Sequence, residues 1–312
     1  MPNPTISVVM PCYNAAAHLR ETIASLQAQT LECWELIAID DGSTDQTSEV
    51  LTKAAECDLR IRVLRIPNGG PSRARNVGVL GLARSPLVAF LDADDLCRPQ
   101  RLARIIEHFT ARPRSAAAYG RVSFFRGDAA CPDTTSTIRR RPLDASVLLG
   151  ENPVCTTSNL AIRFDAFRAI GGFDERLAHH EDVDLLLRIA ADGRRIEGID
   201  EVLVDYRMSE SGLSADLEAM RTGWQRTLER FAAHTPIDQP TGRRAEAIHL
   251  RYLARRALRT HADPRLARRL ALQGLCRSPA AFFDIPRRGA LTLGGSLLAP
   301  LLPARLSNRL FA

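Results

Sequence analysis

Lysine is almost missing from this chain. Of 42 lysines and arginines only Lys53 is a lysine. The net charge of +6 is thus an arginine charge, which a coding bias can produce, so it says little about a partner. Aromatic residues make up 5% and do not interleave with the basic ones. The chain therefore lacks a stacking platform for single strands, and it lacks a helix-turn-helix signal, so nucleic acid is not an expected partner. The seven cysteines (12, 33, 57, 97, 131, 155 and 276) are scattered, odd in number and without a CxxC pair. That excludes a disulfide framework and a cysteine zinc site, and it favours a reducing cytoplasm. No basic, apolar, small-residue leader precedes Ile6, so no secretory signal is expected. No uncharged apolar run reaches the ~20 residues a bilayer span needs. No GxGxxG follows the first strand, so the dinucleotide fingerprint is absent. Internal repeats and low-complexity tracts are missing too.

What is present suits a globular protein of 312 residues, with one large domain and an appendage. Ile6 to Met10 reads as a strand stopped by Pro11. A helix with Leu19, Ile23 and Leu26 on one face follows. Trp34 to Ile39 is the next strand, and Ser43 or Thr44 caps a helix through Val50 and Leu51. Ile61 to Ile66 and Leu87 to Leu91 are strands, separated by a loop and a helix carrying Arg73, Arg75 and Asn76. This alternation implies a parallel sheet with right-handed crossovers. Pro99 to Phe109 reads as a helix, Ala116 to Phe125 as a strand, and 127–142 as a mobile loop. Ser158 to Ile162 is a short strand. Phe164 to Ile170 is a helix ended by Gly171-Gly172. Glu181 to Ala191 is an amphipathic helix with Val183, Leu186, Leu187 and Ala190 inward. Ile199 to Tyr206 holds the last strand. The expected division is a first domain over 1–215 and an arginine-rich helical extension over 216–312. In the extension Leu217, Met220, Trp224, Leu228 and Phe231 form a stripe, and Asp263-Pro264 starts a helix. Gly289 to Ala304 is uncharged and flanked by Arg287, Arg288 and Arg305.

The chemistry concentrates in Asp92-Ala93-Asp94-Asp95, placed directly after an apolar run. A buried parallel strand delivers its next residues to the carboxyl edge of the sheet, where α/β proteins bind ligands. Carboxylates crowded there repel unless a cation or a hydrogen-bonding ligand lies between them. Hard oxygen donors at an open loop suit Mg²⁺ or Mn²⁺ carrying a phosphorylated substrate. A plain Asp-rich surface turn is the competing reading. Two more acidic clusters, Asp40-Asp41 and Glu181-Asp182, fall at a strand end and a loop-to-helix junction.

Together with Ser7 to Asn14, Glu35 to Asp45, Asn68 to Gly78, Phe90 to Asp95, Gly171 to Glu175, Glu181 to Leu185 and Tyr206-Arg207, these clusters form an ordered series. The series resembles the inverting glycosyltransferases of family 2. It covers roughly the first two-thirds of the chain. The resemblance implies a GT-A fold: a Rossmann-like, mostly parallel sheet flanked by helices, here followed by the helical extension. It implies transfer from a nucleotide-sugar donor, usually a UDP-sugar, to a hydroxyl on a glycan, lipid-linked or other acceptor, with Mn²⁺ or Mg²⁺ as cofactor. By position, Pro11 and Tyr13 form the lip of the nucleotide pocket and Asp41 reads the base. Asn68 and Arg75 line the diphosphate side, with Arg73 as the rival arginine. Asp92 and Asp94 are the DxD pair, Asp94 the more direct metal ligand and Asp92 nearer the ribose. Asp95 is structural. Asp182 is the general base, with Glu181 in reserve, because an in-line displacement needs one carboxylate to take the acceptor proton.

Each role has a plainer rival. Tyr13 can be a packing tyrosine and Asp41 a turn residue before Gly42. An acidic pair in a first helical turn can simply oppose the helix dipole, which would also lower Asp182's basicity. His179 and His180 read as solvated loop residues. Two other functions stay open: a catalytically inactive nucleotide-sugar-binding module and, less favoured, a DxD phosphohydrolase, which wants a nucleophilic Asp after the first strand. The stretch 287–312 adds peripheral membrane contact at the inner membrane face as an expectation, against a tail that packs on the domain.

Overall fold

The computed structural model describes residues 4–177, 180–208, 217–259 and 263–299. The chain divides into two compact units. The first comprises Met1–Leu143 and Pro153–Ser209; the second comprises Asp144–Asn152 and Glu210–Ala312.

The first unit opens with β1 (Ile6–Cys12), α1 (Leu19–Gln27), β2 (Trp34–Asp40), α2 (Thr47–Cys57) and β3 (Ile61–Arg65). Then come α3 (Pro71–Asn76), β4 (Leu87–Phe90), a short β5 (Leu96–Cys97), α4 (Arg101–Ala111), β6 (Ser115–Phe125) and β7 (Thr134–Thr135). The sheet order is β3-β2-β1-β4, and those four strands run parallel. Their alternation with helices forces crossovers, and the expected parallel half is what forms. Beyond β4 the sheet turns mixed. The short α5 (Ala145–Leu148) precedes β8 (Leu160–Arg163), which lies antiparallel between β4 and β6. After α6 (Phe164–Ala169) and α7 (Glu181–Ala191), β9 (Arg195–Arg207) pairs parallel with β6 and antiparallel with β5.

The core beneath is apolar and closed. Val8, Met10, Leu36, Ala38, Ala89 and Leu91 are fully buried with Leu19 and Leu26 of α1. Gly78, in the wide π-type turn that continues α3, lies against β1; a Cβ there would fall 2.5 Å from Val9 Cγ1.

Several boundaries differ from the sequence expectation. Pro11 does not stop β1, which continues to Cys12. The β4 register ends at Val9, so Pro11 sits where β1 has no neighbour on that side and a missing N–H is tolerated. Neither Ser43 nor Thr44 caps α2. Its N-cap is Gln46, while Ser43 Oγ accepts the Asn14 N–H at 3.1 Å. The loop 127–142 contains β7, paired to β6. Ser158 lies in a 3₁₀ turn ahead of β8. Gly171 and Gly172 end α6 with φ of 79° and 72°, as a left-handed stop requires.

The second unit is helical: α5 is joined by α8 (Leu217–His234), α9 (Gln239–Arg259), α10 (Pro264–Arg277), α11 (Pro279–Phe282) and α12 (Pro286–Leu298). Asp263 caps α10, accepting the Arg265 N–H. Leu217 and Trp224 of the expected stripe are buried. Arg251, 1% exposed, binds the Phe282 carbonyl at 2.8 Å and ion-pairs Asp284. No helix among the described residues is long and apolar enough to cross a membrane. Residues 300–304 of the uncharged stretch and His179 lie outside the described residues.

Candidate active site

The parallel strands point their carboxyl ends at one crevice, and the order 3-2-1-4 puts its switch point between β1 and β4. Three loops meet there, and hydrogen bonds rather than apolar packing hold them. After β1, Asn14 takes a left-handed φ of 48° and its Oδ1 accepts the Thr44 N–H at 2.8 Å. Thr47 Oγ1 accepts the Ala15 N–H at 2.8 Å, and Asp45 accepts that of Ala16 at 3.2 Å. The loop after β1 is thereby tied to the loop after β2. Tyr13 is left on the rim, 54% exposed, so it is not a packing tyrosine.

Asp41 is buried and its carboxylate is occupied. Its two oxygens accept the Gly69 and Gly70 N–H groups at 2.9 and 2.8 Å, and Asn68 Nδ2 donates to the Asp41 carbonyl at 2.9 Å. Asp41 and Asn68 thus clamp the glycine loop ahead of α3, and any contact of Asp41 with a base uses its remaining lone pairs. Gly70 is needed here for its left-handed φ of 88°, while a Cβ at Gly69 would meet only the flexible Arg73 side chain, 2.4 Å from its Cδ.

At the centre is Arg75, 4% exposed. One nitrogen of its fork donates to Asp92 Oδ1 at 2.7 Å and the other to Glu181 Oε1 at 3.2 Å. The guanidinium also lies 5.4 Å from the Phe173 ring centre. The fork expected to face a diphosphate therefore joins two of the three acidic clusters instead. Despite burial, which disfavours the cation, Asp92 and Glu181 hold the Arg75 pKa above its ordinary value. Arg73 is partly exposed and donates to the Pro67 carbonyl at 3.3 Å.

The DxD segment is fixed from below by residues that sequence reasoning missed. Ser158 Oγ accepts the Asp92 N–H at 2.9 Å and donates to Asp95 Oδ2 at 2.5 Å. Asp95 also accepts the Arg207 N–H at 3.0 Å. It is fully buried, so desolvation, then Asp94 and Asp92, push its carboxyl well up. Arg101, 1% exposed, donates to the Phe90 carbonyl at 2.8 Å and the Ser158 carbonyl at 2.5 Å. Asp94 stands at the mouth, with its side chain open to water. Enough protein still surrounds it that desolvation, then the Asp92 charge, raise its carboxyl. Arg207 Nε donates to the Asp94 carbonyl at 3.1 Å, and its Nη2 donates to Glu21 Oε2 at 2.6 Å.

Glu181 and Asp182 begin α7 after His180, whose φ is 62° and whose side chain makes no cap. Asp182 Oδ1 accepts the Val183 N–H at 2.8 Å. Desolvation raises the Asp182 carboxyl, and the Val183 N–H and the Arg75 charge only partly offset it. Burial thus works against the loss of basicity that a helix start brings. Burial, then Asp182, raise Glu181 as well. Asn76 fixes the loop before α7, accepting the Phe173 N–H at 2.8 Å and donating to the Phe173 carbonyl at 2.9 Å.

The sequence and the fold have counterparts. Residues 7–171 match the family described as Glycosyl transferase family 2. The chain belongs to that family. It is 34% identical over 215 residues to the pre-mycofactocin glycosyltransferase of Mycobacterium tuberculosis, covering 65% of this chain and 43% of that protein. It spans about a quarter to a half of the length of four curated relatives it matches. Its fold is that of the mannosyltransferase PcManGT from Pyrobaculum calidifontis, solved with GDP-Man and Mn²⁺. The TM-score is 0.61 at 20% identity, over 99% of this chain and 84% of that one. S. aureus TarS, solved with UDP-GlcNAc, aligns at a TM-score of 0.58 and 18% identity, over 91% and 92% of the two chains. The GT-A architecture expected from the sequence is thus the fold observed.

Among the described residues no three His, Cys, Asp or Glu side chains form a ready-made cation site. The donor set still fits a hard cation that keeps water and phosphate oxygens as ligands. Asp94 is open at the crevice mouth, and Asp92 keeps one oxygen beyond its Arg75 bond.

Proposed function

We propose that the first unit is an inverting glycosyltransferase that moves a sugar from a nucleotide donor, a UDP-sugar, to a hydroxyl of a glycan or lipid-linked acceptor. The observation that carries this reading is the Arg75 bridge. A buried cation ties the DxD carboxylate Asp92 to the late acidic pair, so the donor end and the proposed base are held as one rigid constellation. Tyr13 stacks on the base from the rim, and Asp41 with Asn68 shapes the pocket floor. Asp94 and Asp92 would hold Mn²⁺ or Mg²⁺, which neutralises the diphosphate charge as the nucleotide leaves. Asp182 takes the acceptor proton, and burial, by raising its carboxyl, makes it the stronger base. Glu181, already held by Arg75, positions the helix start. Residues 1–215 are the proposed catalytic domain, and 216–312 are proposed to serve the acceptor, an oligomer contact or a membrane surface.

A donor screen tests the reading. Thermal shift against UDP-, GDP- and other nucleotide sugars with Mn²⁺ should single out a UDP-sugar. A released-nucleotide assay should then show acceptor-dependent turnover. UDP binding with no turnover on any glycan or lipid-linked acceptor would favour the inactive binding module instead.

A further inference from the structure

Helix α12 is inside out. Its fully buried positions are small or polar: Gly289, Thr292, Gly295 and Ser296. Of its four leucines only Leu293 packs on the core, while Leu291, Leu297 and Leu298 are exposed at 66%, 43% and 54%. The packing enforces this polarity. A Cβ at Gly289 would lie 2.6 Å from Phe283 Cδ1 and 2.7 Å from the Phe282 carbonyl, so a larger inward residue does not fit. Arg287, Leu291, Gly294 and Leu298 follow a helical spacing, and Arg287 is exposed at the amino end of the same face. Neither α10 nor α12 contains an acidic residue, and Arg265, Arg268 and Arg269 of α10 are exposed. Three exposed leucines on one short helix are more than scattered surface apolarity.

We infer that this face of α12 lies on an anionic bilayer surface, with the leucines in the acyl boundary and the arginines at the lipid phosphates. The helix is 13 residues, too short to span but able to lie in the interface. Each arginine near such a surface adds attraction that falls off within a Debye length. Self-association through the same face would bring arginine against arginine. The inference deepens the proposed transfer reading, since it would hold the enzyme where a lipid-linked acceptor lies.

Flotation of the full chain with vesicles tests it. The protein should float with phosphatidylcholine containing phosphatidylglycerol, float poorly with phosphatidylcholine alone, and release as salt screens the charges. Leu291→Gln should weaken binding roughly tenfold, as should Leu298→Gln, the scale of one leucine's transfer from water. Both residues are exposed, so folding and UDP binding should be unchanged, and circular dichroism and titration check this. Equal flotation of the wild type and the double variant would overturn the inference. So would absent flotation with a dimer in sedimentation velocity that the double variant loses. Donor turnover is read separately, so failed flotation with intact turnover removes the membrane contact alone.

Discussion

Removing Arg75 should damage the first unit more than any surface change, and the size of the effect follows from its surroundings. Its side chain is 5% exposed, and its partners Asp92 and Glu181 are 26% and 17% exposed. Arg75→Ala leaves two partly buried carboxylates facing each other with no cation. Deleting one member of a buried ionic network costs roughly 3–5 kcal/mol, because the uncompensated charges remain. For a unit of about 200 residues, this lowers the melting midpoint by roughly 6–20 °C. Arg75→Lys keeps the charge but loses the fork that reaches two carboxylates at once, so its loss should be intermediate. The discriminating variant is Arg75→Ala with Glu181→Gln. It removes one stranded charge and should recover part of the stability lost by Arg75→Ala alone. Scanning calorimetry on the wild type, Arg75→Ala, Glu181→Gln and the double variant gives the coupling directly. A melting midpoint for Arg75→Ala within 2 °C or so of the wild type would refute the bridge as a structural element.

Other outcomes follow from the same geometry. Gly172→Ala should cost roughly 2–4 kcal/mol, since it strains a φ of 72° and puts a Cβ 2.6 Å from Asn76 Oδ1. Gly171→Ala meets open space and should cost only about 1–2 kcal/mol, so equal denaturation midpoints would contradict the steric argument. Asp58, hydrogen-bonded by Arg60, has its pKa lowered to about 2, below the ordinary carboxylate value. A lowered folded-state value stabilises above the unfolded pKa, and that contribution disappears as pH falls through about 2. Asp58→Asn should then cost about 0.2–1 kcal/mol at neutral pH and only a small part of that near pH 2, which urea titrations at the two pH values would check. Asp94→Ala should sharply weaken Mn²⁺-dependent UDP binding in isothermal titration. Unchanged wild-type affinity in chelator would remove the cation from the account.

The legible parts of the fold were those governed by local periodicity. The apolar spacing of α7 gave Glu181–Ala191 to the residue. The strand-helix alternation up to Leu91 gave the parallel half of the sheet. The mixed half was illegible because nothing local specifies that β8 enters antiparallel between β4 and β6, or that β6 and β9 pair in parallel. The first residues of β9, beginning Arg195-Ile196-Glu197, are too polar to read as a strand, although Glu197 is buried. In the crevice, the acidic clusters stood out because carboxylates at strand ends are costly without a partner. Their partners did not stand out. Ser158 lies 66 residues from Asp92, whose N–H it accepts. Arg101 sits in the first turn of a helix where arginine ordinarily faces water, yet it is buried under the DxD segment. Arg75 was singled out for its fork, but the sequence could not say that carboxylates already fill both prongs.

The central claim is that Asp182 accepts the acceptor proton, and the Asp182→Asn variant tests it most directly. Asn is nearly isosteric, and its side-chain oxygen can still accept the Val183 N–H, so α7 should keep its start. The variant and the wild type should bind the donor equally in the presence of Mn²⁺. Transfer, followed as nucleotide released only when acceptor is present, should fall by roughly 10²–10⁴-fold, the range for a lost general base. Transfer near the wild-type rate, with donor binding intact, would contradict the assignment and move the base to Glu181.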